Sequence, residues 1–274
     1  MSLRIQNNIA AMNAHRQLTI SSAGLAQSME RLSSGFRINR AADDAAGLAI
    51  SQQFRADIAS YKVASRNTAE AASLLQVAEG ALDQIGNMLT RLKELATQAS
   101  SANAGSNLDK LDAEAQALIE EIDRIAESTK YAGAALLDGS FTTQTFQVGA
   151  ENADNNRIAV DLGDATTAAL GIDSIDLGTD AAGAQAALGL IDTAIGNVAN
   201  LRGEIGAIQN RLAYTASNLA VTIENVQAAE SVIRDVDMAA EMTTFTKNQI
   251  LLQAGTAMLA QANMAPTQVL ALFG

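Results

Sequence analysis

The stretch Leu74 to Ala99, LLQVAEGALDQIGNMLTRLKELATQA, decides how the chain folds. Within it Leu74, Ala78, Ala81, Ile85, Met88, Leu92, Leu95 and Ala99 alternate steps of four and three, the seam of a coiled-coil helix. A second block, Leu108, Leu111, Ala115, Leu118, Ile122 and Ile125, repeats the pattern after a Ser, Asn, Gly and Ala stretch at 100–107 that reads as a loop. The longest run lies further on: Ile191, Ile195, Val198, Arg202, Ile205, Gln209, Leu212, Ala216, Leu219, Ile223, Val226, Glu230 and Ile233. Polar Arg202, Gln209 and Glu230 interrupt that seam, as residues that set register do.

Length turns periodicity into architecture. Helices over about 44–99, 107–128 and 184–234 are expected, and the longest would span roughly 75–80 Å at 1.5 Å per residue. A compact globule of this chain length has a radius of gyration of roughly 19 Å. The spacing therefore predicts a mainly α, elongated rod of long coiled-coil-like helices. Phe141 to Val148 and Arg157 to Leu162 alternate apolar and polar residues around a turn-rich link, which predicts a small mid-chain β-hairpin over about 141–162. Leu170 to Thr179 is expected to add a strand.

The ends have their own stripes: Leu18, Leu25, Met29, Leu32 and Phe36 near the N-terminus, and Met238, Met242, Phe245, Leu252 and Leu259 near the C-terminus, with Ile5, Ile9 and Met12 out of phase. One amphipathic helix cannot bury its own stripe, so the two ends are expected to pair with each other or with further copies. Three regions follow: 1–40, 41–234 and 235–274, the outer two being terminal helices.

Composition excludes much chemistry. The 274 residues hold no Cys, one His and one Pro, with 30 acidic against 18 basic residues and a net charge of -12. Thiolate catalysis, disulfides and zinc ribbons are thereby excluded, and His15 alone builds no multi-histidine metal site. The acidic balance argues against nucleic acid as a partner. No phosphate-loop, dinucleotide-binding, HExxH or GxSxG motif is present, so no catalytic, metal or cofactor-binding residue is assigned. Asp43 and Asp44 read as complements to the dipole of the helix that follows. Glu120, Glu121 and Asp123 read as a solvated face, Asp235 and Asp237 as local partners of Arg234, and the methionines as packing. From Asn248 to Gly274 there is no charge, yet the amides of Asn248, Gln249, Gln253, Gln261, Asn263 and Gln268 argue against membrane insertion.

Two segments, Arg31 to Ser51 (RLSSGFRINRAADDAAGLAIS) and Glu224 to Phe273 (ENVQAAESVIRDVDMAAEMTTFTKNQILLQAGTAMLAQANMAPTQVLALF), resemble the terminal signatures of bacterial flagellins. The likeness takes in roughly the first 160 and last 90 residues, in the order and at the ends the family has them. It implies a short form without large outer domains. Such a chain would assemble with copies of itself into the filament that serves motility, its terminal helices forming the innermost layer. The self-assembly residues would be Leu18, Leu25, Met29, Leu32, Phe36, Met242, Phe245, Leu252 and Leu259. The resemblance further implies type III export to an extracellular filament, and an export chaperone, hook-junction proteins and a cap as partners. It also implies detection by the host Toll-like flagellin receptor. There Leu89 to Gln98, LTRLKELATQ, matches a family pattern like LxRxxELAxQ, with Leu89, Arg91, Glu94, Leu95 and Glu114 as contacts, although Thr90 departs from the Gln often found. The alternatives are a hook-filament junction protein, a filament-displayed enzyme, which would need an insert this chain lacks, and a membrane-active coiled coil.

Overall fold

The computed structural model describes residues 7–101, 105–178 and 181–270. Ile5 and the extreme C-terminal residues 271–274 lie outside them, as does the tip of the loop expected at 100–107. The chain is mainly α, as expected, and divides into two compact units, Met1–Ala56 with Asn225–Gly274, and Asp57–Glu224. Both boundaries fall inside continuous helices, whereas the sequence reading placed its own at helix breaks.

The second unit holds most of helix α2 (Ala45–Ala99), α3 (Leu108–Ser128) and most of α5 (Ala181–Arg234). No proline interrupts any of them, and α2 at 55 residues is about 80 Å long. Of the expected α2 seam, Leu74, Ala78, Ile85, Leu92, Leu95 and Ala99 are buried, while Ala81 and Met88 are only partly buried against the core. Leu75, Leu82, Leu89 and Ala96 join it, widening the stripe, because α2 faces several elements at once. The seam of α3 is likewise shifted, its buried face being Leu111, Ala115, Ile119, Ile122 and Ala126. On α5 the polar interruptions are paired. Arg202 meets Asp83 at 3.1 Å, the Gln209 amide donates to the Glu79 carboxylate at 2.8 Å, and Lys93 meets Asp192 at 2.5 Å. Rising numbers on α5 meet falling numbers on α2, so the two helices run antiparallel with their register fixed by polar pairs.

The mid-chain hairpin is present and shorter than expected: β3 (Gln144–Gln147) pairs antiparallel with β4 (Arg157–Val160), after a smaller pair, β1 (Lys130–Tyr131) and β2 (Ala134–Ala135). Ile158 and Val160 point into the core shared with the helices, and Asn67 of α2 donates to the Gln147 carbonyl at 3.0 Å. The strand expected from Leu170 does not form. Thr166 caps a one-turn helix, α4 (Thr167–Leu170), which Gly171 ends in the left-handed region at φ 71°. The apolar spacing that suggested a strand instead buries Leu170, Ile172, Ile175 and Leu177 beside α3. Gln116 donates to the Ile175 carbonyl and Asp112 accepts from the Leu177 amide, giving this irregular backbone partners that a strand would have taken from a neighbour.

The first unit is built on α1 (Ile9–Ser34) and α6 (Met238–Leu270). Asn8 caps α1 by accepting from the Ala11 amide, Asp237 caps α6 by accepting from Ala239 and Ala240, and Asp44 caps α2 by accepting from Gly47. Asp44 thus serves its helix start as expected, Asp237 caps α6 instead of pairing with Arg234, and Asp43 folds the link before α2, accepting from the Asn39 and Arg40 amides. Gly47 is required by proximity: a Cβ there would lie 2.4 Å from the Asp44 carboxylate and 2.8 Å from Ile38.

Candidate functional site

The chain termini pair. Asn8 reaches the Ala262 carbonyl at 2.8 Å, Leu18 lies against Gly255, Gly24 against Asn248, and Arg31 faces Glu241 at 3.6 Å. Ascending on α1 and descending on α6, these contacts define an antiparallel helix pair. The residues turned toward the partner follow the four-three rhythm on both helices: Ala14, Leu18, Ser21, Leu25, Ser28 and Leu32 on α1, and Glu241, Phe245, Asn248, Leu252, Gly255 and Leu259 on α6.

Half of that seam is small or polar. Ser21 and Ser28 are buried, and a Cβ on Gly24 would sit 2.9 Å from the Asn248 amide, so the helices approach closely there at the expense of apolar contact. The expected self-assembly residues divide accordingly. Leu18, Leu25, Leu32, Phe245, Leu252 and Leu259 lie half-buried on the intramolecular seam. Met29 and Met242 do not, and stand in solvent. Phe36, in the link after α1, is half-buried under the Arg234 guanidinium at 4.4 Å.

What the stripes missed is a second apolar set facing away from the partner. Ile9, Met12 and Ile20 on α1 and Ile250, Leu251 and Met258 on α6 are exposed, Met12 by 67%, Ile250 by 60% and Met258 by 63%. Met242 and Ile250 line an open groove of about 460 Å³ with Thr243, Thr246 and Lys247. Large apolar side chains left out in this number, on helices that use small residues inside, mark a surface meant to be covered. The out-of-phase Ile9 and Met12 already carried that signal, since residues off one seam lie on another face.

Between the pair and the rest of the unit lies a polar knot. Arg37 donates to the Ile233 carbonyl, its backbone amide to the Arg234 carbonyl at 2.7 Å, and Val236 to Gly35 at 3.0 Å. These bonds tie the link after α1 to the α5–α6 link. Asp235 accepts from Ser231 rather than pairing with Arg234, and Arg234 faces Glu230 at 3.9 Å.

A separate charged cluster sits in the second unit. The Arg91 guanidinium donates to Glu114 through Nε at 3.0 Å and Nη2 at 2.8 Å, and to Glu94 at 2.9 Å. Glu114 first, then Glu94, holds the Arg91 pKa above its usual range. All three side chains are about half-exposed, so the cluster is a surface feature joining α2 to α3. Leu89 and Leu95 are not presented beside it: both are buried in the core beneath, because they belong to the α2 seam. Of the acids expected on a solvated face, Glu121 pairs with Arg124 and Asp123 holds the start of α4 through the Thr167 amide and hydroxyl.

Among the described residues no group of side chains has the composition of a metal site, and no helix is long and apolar enough to cross a membrane.

The chain is similar to known proteins along most of its length. Residues 5–142 match the family model for the bacterial flagellin N-terminal helical region, and 188–273 that for the bacterial flagellin C-terminal helical region. The chain is 46% identical to a flagellin of Halalkalibacterium halodurans, over 98% of each chain. It is 43% identical to a flagellin of Bacillus subtilis, over 98% of this chain and 99% of that one. Among solved structures, a Bacillus cereus flagellin is similar at 33% identity and TM-score 0.50, covering 56% of this chain and 88% of that one. A structure described as a flagellar hook-associated protein of Vibrio parahaemolyticus matches at TM-score 0.57 and 16% identity, over 70% and 97% of the two chains, a likeness of fold alone.

Proposed function

The chain belongs to the bacterial flagellin family and is a structural subunit of the flagellar filament, and from that premise we propose that α1 and α6 are the segments through which copies pack together. The observation that carries this reading is the exposed apolar face of the pair, Met12, Ile20, Ile250 and Met258 among it, on helices whose shared seam is half polar. A free subunit leaves that face wet, and a neighbouring subunit removes it from water. Each buried side chain of this size is worth about 1.5–3 kcal/mol. The contact is heterologous, one face meeting a different face of the next copy, so assembly continues as a helical polymer rather than closing. The absence of charge from Asn248 onward suits a layer where many copies converge. A hook-filament junction role is not favoured, since the close relatives are filament proteins.

The filament lies outside the cell, reached by type III export, with an export chaperone, hook-junction proteins and a cap as transient partners; family membership supports this part of the reading. The test is a chain ending before Met238. It is expected to remain helical and soluble and to form no filament by electron microscopy, and filaments of normal form would contradict the proposal.

A second reading rests on the charged cluster. The Arg91, Glu94 and Glu114 side chains form an exposed, pre-organised polar patch, with Leu89 and Leu95 supporting it from the core, and this patch is the surface for the host Toll-like flagellin receptor. Purified Arg91→Ala subunit is expected to lose most of its potency in a receptor reporter-cell assay. Unchanged potency would remove the assignment.

A further inference from the structure

With no cysteine in the chain, its oxidisable sulfur is all thioether, and that sulfur is unevenly placed. Met12, Met29, Met238, Met242 and Met258 all stand about half-exposed or more on α1 and α6, whereas Met88 packs against the core of the second unit. Met242 lies in the open groove beside Ile250, and Met258 in the stretch after Asn248 that holds no charge.

We propose that the exposed methionines of α1 and α6 are a redox modification site that controls assembly: peroxide oxidises them in the free subunit and thereby blocks polymerisation, and a thiol-dependent methionine sulfoxide reductase restores it. The inference rests on the filament reading above. In the oxidation a thioether sulfur lone pair attacks one peroxide oxygen, the O–O bond breaks, and water leaves. Sulfur is oxidised by two electrons and peroxide reduced by two. In the reverse step two thiols supply the electrons, the sulfoxide oxygen leaves as water, and a disulfide forms on the reductase.

The placement makes the modification selective for assembly. A sulfoxide is a strong hydrogen-bond acceptor, and in the free subunit water satisfies it because these side chains already stand in solvent. The helix pair keeps its own seam, which contains none of the five. When a second copy covers the face, each sulfoxide oxygen must exchange its water for a packed contact shaped for an apolar side chain. Folding is thus spared and packing between copies is not. The assembled polymer is protected in turn, since its thioethers are no longer reachable. Unbranched methionine suits an adaptable packing surface, and the same sulfur makes that surface sensitive to oxidant.

The experiment uses the full purified chain, treated or not with hydrogen peroxide, with sites mapped by peptide mass spectrometry, helicity followed by circular dichroism and polymer measured by sedimentation. Oxidised subunit is expected to keep its helicity and to need at least about tenfold higher concentration to polymerise. Incubation with dithiothreitol and methionine sulfoxide reductases for both epimers is expected to return it to the untreated value. A variant with Met12, Met29, Met238, Met242, Met258 and Met264, the last itself 53% exposed on α6, changed to Leu keeps the apolar surface and should polymerise equally with and without peroxide. Polymerisation of the oxidised chain at the untreated concentration would overturn the proposal, as would equal inhibition of the Leu variant or failure of the reductases to rescue. Failure of the untreated chain to polymerise would instead overturn the filament reading on which the proposal rests.

Discussion

Ile250 tests the division between the inner seam and the outer face of the terminal helix pair. It is 60% exposed on α6 and lies off the seam formed by Phe245, Asn248 and Leu252. Replacing it with Asp in the free subunit puts a charge where water already is, and the stability of the monomer should change by no more than about 0.5 kcal/mol. Assembly is different. The apolar area still wet on Ile250 is worth about 1–2 kcal/mol when a neighbour covers it. A carboxylate left there without a partner costs about 3 kcal/mol more, after the relaxation that real sites allow. The sum, about 4 kcal/mol per subunit, raises the concentration needed for polymerisation by about a thousandfold. Ile250→Ala loses the apolar part alone and should raise it about tenfold. Sedimentation across a concentration series, with thermal melting of the monomer beside it, measures both quantities. If Ile250→Asp polymerises within a few-fold of the parent, the outer face is not an assembly surface. If its monomer melts well below the parent, Ile250 is not the solvent-facing residue described.

Three further outcomes follow from particular contacts. Leu92 is fully buried on the α2 seam, and Leu92→Ala should destabilise the second unit by about 2–5 kcal/mol in urea unfolding while leaving the exposed apolar face of α1 and α6 unchanged. Gly24→Ala displaces only the end of the flexible Asn248 side chain while gaining about 1 kcal/mol of helix propensity, so amide exchange in α1 and α6 should stay the same or slow. The Asp43 carboxyl sits below its ordinary value of 3.8, first because the Arg40 amide and then the Asn39 amide donate to it. A lowered pKa stabilises the folded link fully above the ordinary value and loses that contribution as pH falls through the folded one. Amide protection factors in the 39–44 link, taken relative to intrinsic exchange at each pH, should therefore fall on acidification below about pH 4, and Asp43→Asn should remove that dependence.

Much of this was legible in sequence because a helix writes its buried face into spacing. The α2 seam and the α2, α3 and α5 boundaries emerged within a few residues, since long apolar periodicity without proline admits few alternatives. The expected strand after Leu170 failed because burial against α3 produces nearly the same apolar spacing as a strand. Only the position of Gln116 and Asp112, ready to satisfy the backbone, separates the two. The terminal seam was misread for a related reason. Apolar residues were counted, but the contact runs through Ser21, Ser28, Asn248 and the buried Glu241, and Met29 and Met242 stand exposed, off that seam. Following the four-three rhythm through small and polar residues would have found it. Arg91 and Glu114 sit on different helices, and their pairing depends on how α2 lies beside α3, which periodicity alone does not register. The burial of Leu89 and Leu95 was visible in the seam itself, where Leu95 already stood.

The central claim is that neighbouring copies cover the apolar face of α1 and α6. Electron cryomicroscopy of filaments grown from the purified chain tests it most directly. Filaments are expected to show an inner layer of paired α1 and α6 helices with Met12, Ile250 and Met258 packed against adjacent subunits. A polymer in which those side chains remain exposed to water, with contacts made elsewhere, would contradict it.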